Sequence, residues 1–190
     1  MGNPCPTLGP AHWEGLKQVI SYLGSTKDLW LTFGGQNETV EGFCNVDWAS
    51  QKHQHLISGF SFHYRVGAVS WSSKKQSMVL LSSTEAEYIV QTHTAKEAIW
   101  LRSFMSKIHG GKQTALTISC NNQGAIALAK DNKFHLRTKH IDLWYHFIRE
   151  AVEDGKIMVK YVPTDKNVSD IFTKASPKLK FEWMVDLLGL

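Results

Sequence analysis

The chain has 190 residues, of which 43% are hydrophobic and 20% are charged, and its formal net charge is +4. These values are typical of one globular domain with a hydrophobic core, with or without a short additional segment. No apolar run approaches the roughly 18 residues of a membrane-spanning helix, and the N-terminus lacks the pattern of a secretory signal. The cysteines Cys5, Cys44 and Cys120 form no Cys-x-x-Cys pair, which argues against a disulfide framework or a structural zinc site. We expect an intracellular protein, cytoplasmic or nuclear, without a membrane partner.

The first 36 residues differ in pattern from the rest, and we interpret them as an appendage to a domain of residues 37–190. Apolar residues recur at helical spacing over residues 11–23, directly after Pro10, which predicts a short amphipathic helix. Residues 26–33 are predicted to form a strand. The composition then changes near Gly34 and Gly35.

Three strands and a long helix are predicted next. The strands cover residues 40–48, 57–64 and 67–71, and a tight turn joins the last two, so the three can form an antiparallel meander. Residues 82–84 are candidate N-caps for a helix that Gly110 and Gly111 end.

The remaining sequence alternates between helices and strands. Strands are predicted at 116–120 and 156–162, and helices at 122–130, 138–154, 165–175 and 178–188. The resulting order, β-β-β-α-β-α-α-β-α with the two C-terminal helices counted as one, predicts an α/β fold with a mixed sheet and helices packed on its faces.

Side chains with oxygen donors follow the strand ends. If the first and fourth strands are parallel neighbours, their carboxyl ends open at one edge of the sheet, where α/β proteins place their sites. The side chains concerned are Asn45 and Asp47 on one face of the first strand, Asn121 after the fourth, Glu85 or Glu87 on the long helix, and Asp170. Oxygen ligands favour Mg²⁺ or Mn²⁺ over zinc, and two such ions can activate water against a phosphodiester.

The charge of this cluster is too small for two divalent ions. Two ions carry +4, whereas Asn45, Glu87, Asn121 and Asp170 supply −2. At an effective dielectric of about 20, unit charges 4 Å apart interact by roughly 4 kcal/mol, so losing two carboxylates should remove most of the affinity for at least one ion. Asp47 is an alternative ligand because it shares a face with Asn45, although it lies one pleat further along.

Five sequence blocks carry a family resemblance: GFCNVDWA at 42–49, AVSWSSKKQ at 68–76, LSSTEAEY at 81–88, TKHID at 138–142 and DIFTKA at 170–175. They resemble blocks in the RNase H domain of Ty1/Copia-type retrotransposon Pol polyproteins. The first resembles the family pattern G-Y-S-D-A-D-W-A. The appendage is similar to the end of the reverse transcriptase region that precedes RNase H in these polyproteins.

The resemblance implies an RNase H-like fold, in which three antiparallel strands and two parallel additions form a five-stranded mixed sheet. It also implies cleavage of the RNA strand of RNA–DNA hybrids with two magnesium or manganese ions. The family's catalytic Asp, Glu, Asp and Asp positions fall on Asn45, Glu87, Asn121 and Asp170. The first and third depart from the pattern, so the remaining metal ligands would be Glu87, Asp170 and Asp47, with metal binding weakened or absent. Each Asp-to-Asn exchange needs one G-to-A base change, as in a decaying copy of an element.

Basic residues provide candidate contacts to nucleic-acid phosphates, which would weaken with salt. They are Lys74 and Lys75, interpreted as a hairpin tip, and the run Lys133, Arg137, Lys139 and His140. An ordinary solvated loop is the alternative interpretation of this run.

Three functional hypotheses remain open from the sequence. In the first, an RNase H relic keeps the fold and binding to RNA–DNA hybrid or other nucleic acid but has lost nuclease activity. In the second, it is still an active hybrid ribonuclease whose weakened site is completed by Asp47 or the asparagines. In the third, a host uses the fold as a non-catalytic module that binds a protein partner.

Cys44 and Cys120 are predicted to point away from the site and to pack as small apolar residues.

Overall fold

The computed structural model describes residues 9–36, 38–47, 56–76, 83–111, 114–130 and 142–190; at residues 83–85, 128, 130 and 142–145 it describes the backbone alone. The chain divides into two compact units, Met1–Trp30 and Leu31–Leu190. The functional division between residues 1–36 and 37–190 stays a prediction. No helix in the described ranges is both long and apolar enough to span a bilayer.

The described part of the first unit contains one helix, α1, at Pro10–Thr26, which includes the predicted helix at 11–23 and extends beyond it at both ends. None of its residues is buried. The predicted strand at residues 26–33 was wrong, because the chain after α1 has no regular secondary structure there. In the larger unit, the Thr32 N–H donates to the carbonyl of Gly189 at 2.7 Å.

The larger unit is built on a five-stranded sheet with the strand order β3-β2-β1-β4-β5. The strands are β1 (Val40–Asp47), β2 (Ile57–Tyr64), β3 (Gly67–Lys75), β4 (Leu116–Cys120) and β5 (Ile157–Tyr161). β1 to β3 form an antiparallel meander, and β4 and β5 add in parallel, β4 beside β1. The predicted mixed sheet is therefore confirmed.

Four helices belong to the described part of the larger unit: α2 (Ser83–His109), α3 (Gln123–Lys130), α4 (Asp142–Glu153) and α5 (Lys178–Leu187). The single helix predicted at 165–175 was wrong: two short 3-10 helices, Thr164–Lys166 and Val168–Phe172, stand there. Asn167 separates them, because its extended backbone ends the first and its side chain accepts from the Ser169 N–H to cap the second. The predicted start of the helix at 138–154, like the end of the strand at 40–48, lies partly outside the described residues.

The core lies between the sheet and helices α2, α3 and α4. Alternate residues of the central strands point into it, including Cys44, Ile118 and Cys120, all at most 1% exposed. Both cysteines are free thiols within this apolar cluster, as predicted. The opposite face of β1 carries Asn45, which is therefore directed away from the core and toward the second 3-10 helix.

Candidate functional site

The parallel pairing of β1 and β4 brings the candidate site positions to one sheet edge. The register aligns Gly42 with Ile118 and Phe43 with Ser119, so both strands end at the same edge. Asn45 lies near the end of β1, and Asn121 directly follows β4. This part of the sequence-based geometry is confirmed.

Asn45 and Asp170 form the centre of this edge. Asn45 is 2% exposed, and its Nδ2 donates to Asp170 Oδ1 at 2.5 Å and to Thr173 Oγ1 at 3.0 Å. Asp170 is completely buried. Because an ionised carboxylate can only accept hydrogen bonds, the Asn45 amide turns its NH₂ group rather than its oxygen toward Asp170.

Two lysines neutralise Asp170 from the other side. The Asp170 Oδ2 atom lies 3.0 Å from Lys174 Nζ and 2.7 Å from Lys180 Nζ. Lys174, four residues after Asp170, is the ion-pair partner that helical spacing suggests. Lys180 lies on α5, beyond Pro177, and no local sequence pattern predicts its contact with Asp170. Asp170 is thus a carboxylate with both oxygens already bonded.

The second 3-10 helix, which carries Asp170, is fixed to the sheet by backbone and side-chain bonds. Fully buried Asn167 donates through Nδ2 to the carbonyl of Cys44 at 2.9 Å, and its Oδ1 accepts from the Ser169 N–H at 3.1 Å. At the other end, Ser73 Oγ donates to the carbonyl of Phe172 at 2.6 Å. Asn167 is thus a positioning residue that the sequence analysis missed.

Glu87 reaches the same edge from the first turns of α2. Its side chain is 6% exposed, and this burial raises the pKa of the Glu87 carboxyl to about 8. A hydrogen bond with the Val46 backbone lowers this pKa, the charge of Asp170 raises it, and the charge of Lys174 lowers it. Its Oε2 atom is buried without a hydrogen-bond partner. At neutral pH Glu87 is therefore mainly protonated. The side chain of Glu85 lies outside the described residues, so the choice between the two glutamates stays a prediction.

Asn121 and Asp47 complete the predicted set, Asn121 directly after β4 and Asp47 at the end of β1. Asn121 Nδ2 donates to Thr164 Oγ1 at 3.1 Å, and its Oδ1 is buried without a partner. Asp47 is half-buried at the last position of β1. Across the described ranges, no group of three or more His, Cys, Asp or Glu side chains is arranged to hold a metal ion.

The donor set does not fit a pair of divalent ions. Asn45 presents donors, and Asp170 is compensated by two ammonium groups. Glu87 Oε2 and Asn121 Oδ1 are buried without hydrogen-bond partners, and of the four family positions only Glu87 and Asp170 carry carboxyl groups against cations of +2 each.

The predicted phosphate contacts are only partly within the described chain. Lys74 and Lys75 are exposed at the end of β3, and the tip of the β2–β3 hairpin lies instead at Arg65 and Val66. Burial lowers the pKa of His93, and the charges of Lys96 and Lys74 lower it further, so both lysines lie near this imidazole. The other predicted contacts lie outside the described residues: Lys133, Arg137, Lys139 and His140.

The fold matches solved RNase H structures. LC11-RNase H1, solved in complex with an RNA/DNA hybrid, superposes with a TM-score of 0.52 at 12% identity, over 70% of this chain and 93% of that one. At this identity the similarity shows the fold alone, and the fold is RNase H-like. No protein-family model matches this chain.

Curated relatives identify the family. The retrovirus-related Pol polyprotein from transposon TNT 1-94 of Nicotiana tabacum is 41% identical over 183 residues, which are 96% of this chain and 14% of the polyprotein. The corresponding polyprotein from transposon RE2 of Arabidopsis thaliana is 35% identical over 173 residues, 90% of this chain and 12% of the polyprotein. The chain belongs to the family of retrovirus-related Pol polyproteins from Ty1/Copia-type transposons, and it spans less than a sixth of the length of these relatives.

Proposed function

We propose that this chain is a retrotransposon-derived RNase H-like domain that keeps the fold but has lost metal-dependent hydrolysis of the RNA strand in RNA–DNA hybrids. The observation that carries the proposal is the orientation of Asn45, whose NH₂ group donates to Asp170 and Thr173. A metal ligand must direct a lone pair at the cation, and an NH₂ group has none to offer. Turning the amide would break both bonds and leave buried Asp170 short of a donor, which costs about 1.5–3 kcal/mol for a bond to a charged group.

Binding to RNA–DNA hybrid or other nucleic acid is the activity that remains in this proposal. The chain's net charge is +4, Lys74 and Lys75 are exposed, and the charges of Lys74 and Lys96 both act on His93. Such contacts to phosphates need no metal ion and weaken as salt rises. The hybrid bound to LC11-RNase H1 shows that a protein of this fold can hold such a substrate.

A cleavage assay on a labelled RNA–DNA hybrid, with Mg²⁺ or Mn²⁺, tests the proposed loss of activity. We expect no cleavage by the natural chain and recovery in the Asn45→Asp/Asn121→Asp variant, which restores both carboxylates. Asn45→Asp/Asn122→Asp is the matched control, because it adds the same charge but leaves an amide at position 121. Asn122 caps α3 by accepting from the Ala125 N–H at 3.0 Å, a bond that Asp preserves.

Two results of this assay would contradict the proposal. Metal-dependent cleavage by the natural chain would make it a working nuclease. A folded Asn45→Asp/Asn121→Asp variant that stays inactive would show that the two asparagines are not the cause of the loss. Circular dichroism spectra of the three proteins provide the check on folding.

A protein-binding module is the second candidate, and an apolar ridge on α2 favours it. The Trp100 and Phe104 rings stack with centroids 5.5 Å apart, and both side chains, like Ile108 one turn further, are about half exposed. Exposed aromatic clusters of this kind mark binding surfaces. Fluorescence anisotropy with labelled hybrid separates the candidates, since a module of this kind would show no affinity for hybrid at low salt.

A further inference from the structure

We propose that Lys174 and Lys180 act as built-in cations in place of the metal ions that the fold family implies, and that they make this domain's structure independent of divalent metal. The inference rests on the proposed loss of metal-dependent hydrolysis. It goes further because it assigns a role to two lysines and predicts how the folded chain responds to metal.

The buried carboxylate of Asp170 requires compensation. An ionised carboxylate removed from water costs several kcal/mol unless it is paired and hydrogen-bonded. Here Oδ1 accepts from Asn45, and Oδ2 contacts Lys174 at 3.0 Å and Lys180 at 2.7 Å. Asp170 and its two lysines together carry a formal charge of +1, so this carboxylate offers no net negative charge to a dication.

The two lysines come from different elements and therefore connect them. Lys174 follows the second 3-10 helix, and Lys180 lies in the first turn of α5. The far end of α5 is held separately, because the Ala68 N–H donates to the carbonyl of Leu188 at 2.9 Å. The Lys180–Asp170 pair thus fastens the beginning of α5 to the edge of the sheet without a metal.

Lysine reactivity in the natural chain provides a direct test. Acetylation rates measured by mass spectrometry compare Lys180, whose side chain is 30% exposed, with Lys178 of the same turn, which is 87% exposed and 3.8 Å from Glu182. We expect Lys180 to react roughly fivefold more slowly than Lys178, the ratio for an ion pair worth about 1 kcal/mol. The rates should be the same in EDTA and in excess Mn²⁺. Equal rates at the two lysines, or acceleration at Lys180 by Mn²⁺, would overturn the inference.

Thermal unfolding provides the second test. We expect Lys180→Met to lower Tm more than the matched control Lys178→Met does, with Lys180→Arg retaining most of the natural Tm. The natural chain should have the same Tm in EDTA and in Mn²⁺. A Tm that rises with Mn²⁺, or equal effects of the two methionine variants, would contradict the proposal. If Lys180→Met does not fold, the proposal is still tested by the acetylation rates of the natural chain and by the Tm of Lys180→Arg.

The two proposals fail in different experiments. Cleavage of hybrid by the natural chain would refute the proposed function, whatever the lysines do. An unprotected Lys180 in an inactive chain would refute the built-in cations and leave the loss of activity in place.

Discussion

Replacing Glu87 by glutamine should remove a large pH dependence from the stability of this domain. Burial raises the Glu87 pKa from 4.5 to about 8, so the folded state keeps a proton that the unfolded state releases. The stabilisation from this proton is fully present below about pH 4.5 and is lost as the pH rises toward about 8. At about 1.4 kcal/mol per pKa unit, deprotonation lowers the free energy of unfolding by roughly 4 kcal/mol at pH 8.

The Glu87→Gln variant has nearly the same shape as protonated Glu87 but does not titrate. Urea unfolding between pH 5 and 9 should therefore show the natural chain losing stability relative to Glu87→Gln up to about pH 8, after which the difference levels off. Glu150→Gln, at an exposed position of α4, is the control, and its curve should run parallel to that of the natural chain. The burial argument is refuted if the Glu87→Gln curve also runs parallel.

Three further substitutions probe the edge of the sheet and its basic surface. Gly59→Ala would place a Cβ 2.7 Å from Phe172 Cβ, so the 3-10 helix must shift, and urea unfolding should show a loss of about 1–3 kcal/mol. Asn167→Ala removes two buried hydrogen bonds to backbone groups, so the same measurement should show a loss of roughly 2–4 kcal/mol; no loss would exclude Asn167 as a positioning residue. Replacing Lys74 and Lys75 by alanine should weaken hybrid binding and flatten its salt dependence in anisotropy titrations, and an unchanged salt slope would remove them from the interface.

The fold was largely accessible from the sequence because its signals are local. The strand patterns at β1, β2 and β3 and the turn before Gly67 predict an antiparallel meander, and the structure has it. The wrong prediction of one helix at residues 165–175 has a non-local cause. The pattern of residues 165–175 resembles a helix, but Asn167 bonds instead to the carbonyl of Cys44, 123 residues away.

The sequence predicts where the two asparagines of the candidate site lie, but it does not predict the hydrogen bonds and ion pairs that the site residues form. Parallel strands with oxygen-bearing side chains at their ends place Asn45 and Asn121 at one edge, as the register of β1 and β4 confirms. The pKa of Glu87 depends on how deeply the folded domain buries its side chain. The helical periodicity of the sequence does not predict that depth. The contact of Lys180 depends on the direction of α5 after Pro177, and sequence spacing carries no information about that direction.

The contact at the centre of this sheet edge joins two residues that lie far apart in the sequence, which affects how the domain folds and how it responds to proteolysis. Asn45 and Asp170 are 125 residues apart, so the contact between them can form only after the chain has closed a very long loop. We therefore expect this edge to be completed late in folding. A protease cut between β5 and the 3-10 helices would leave Asp170, Lys174 and Lys180 on a fragment that only non-covalent contacts join to the central strand.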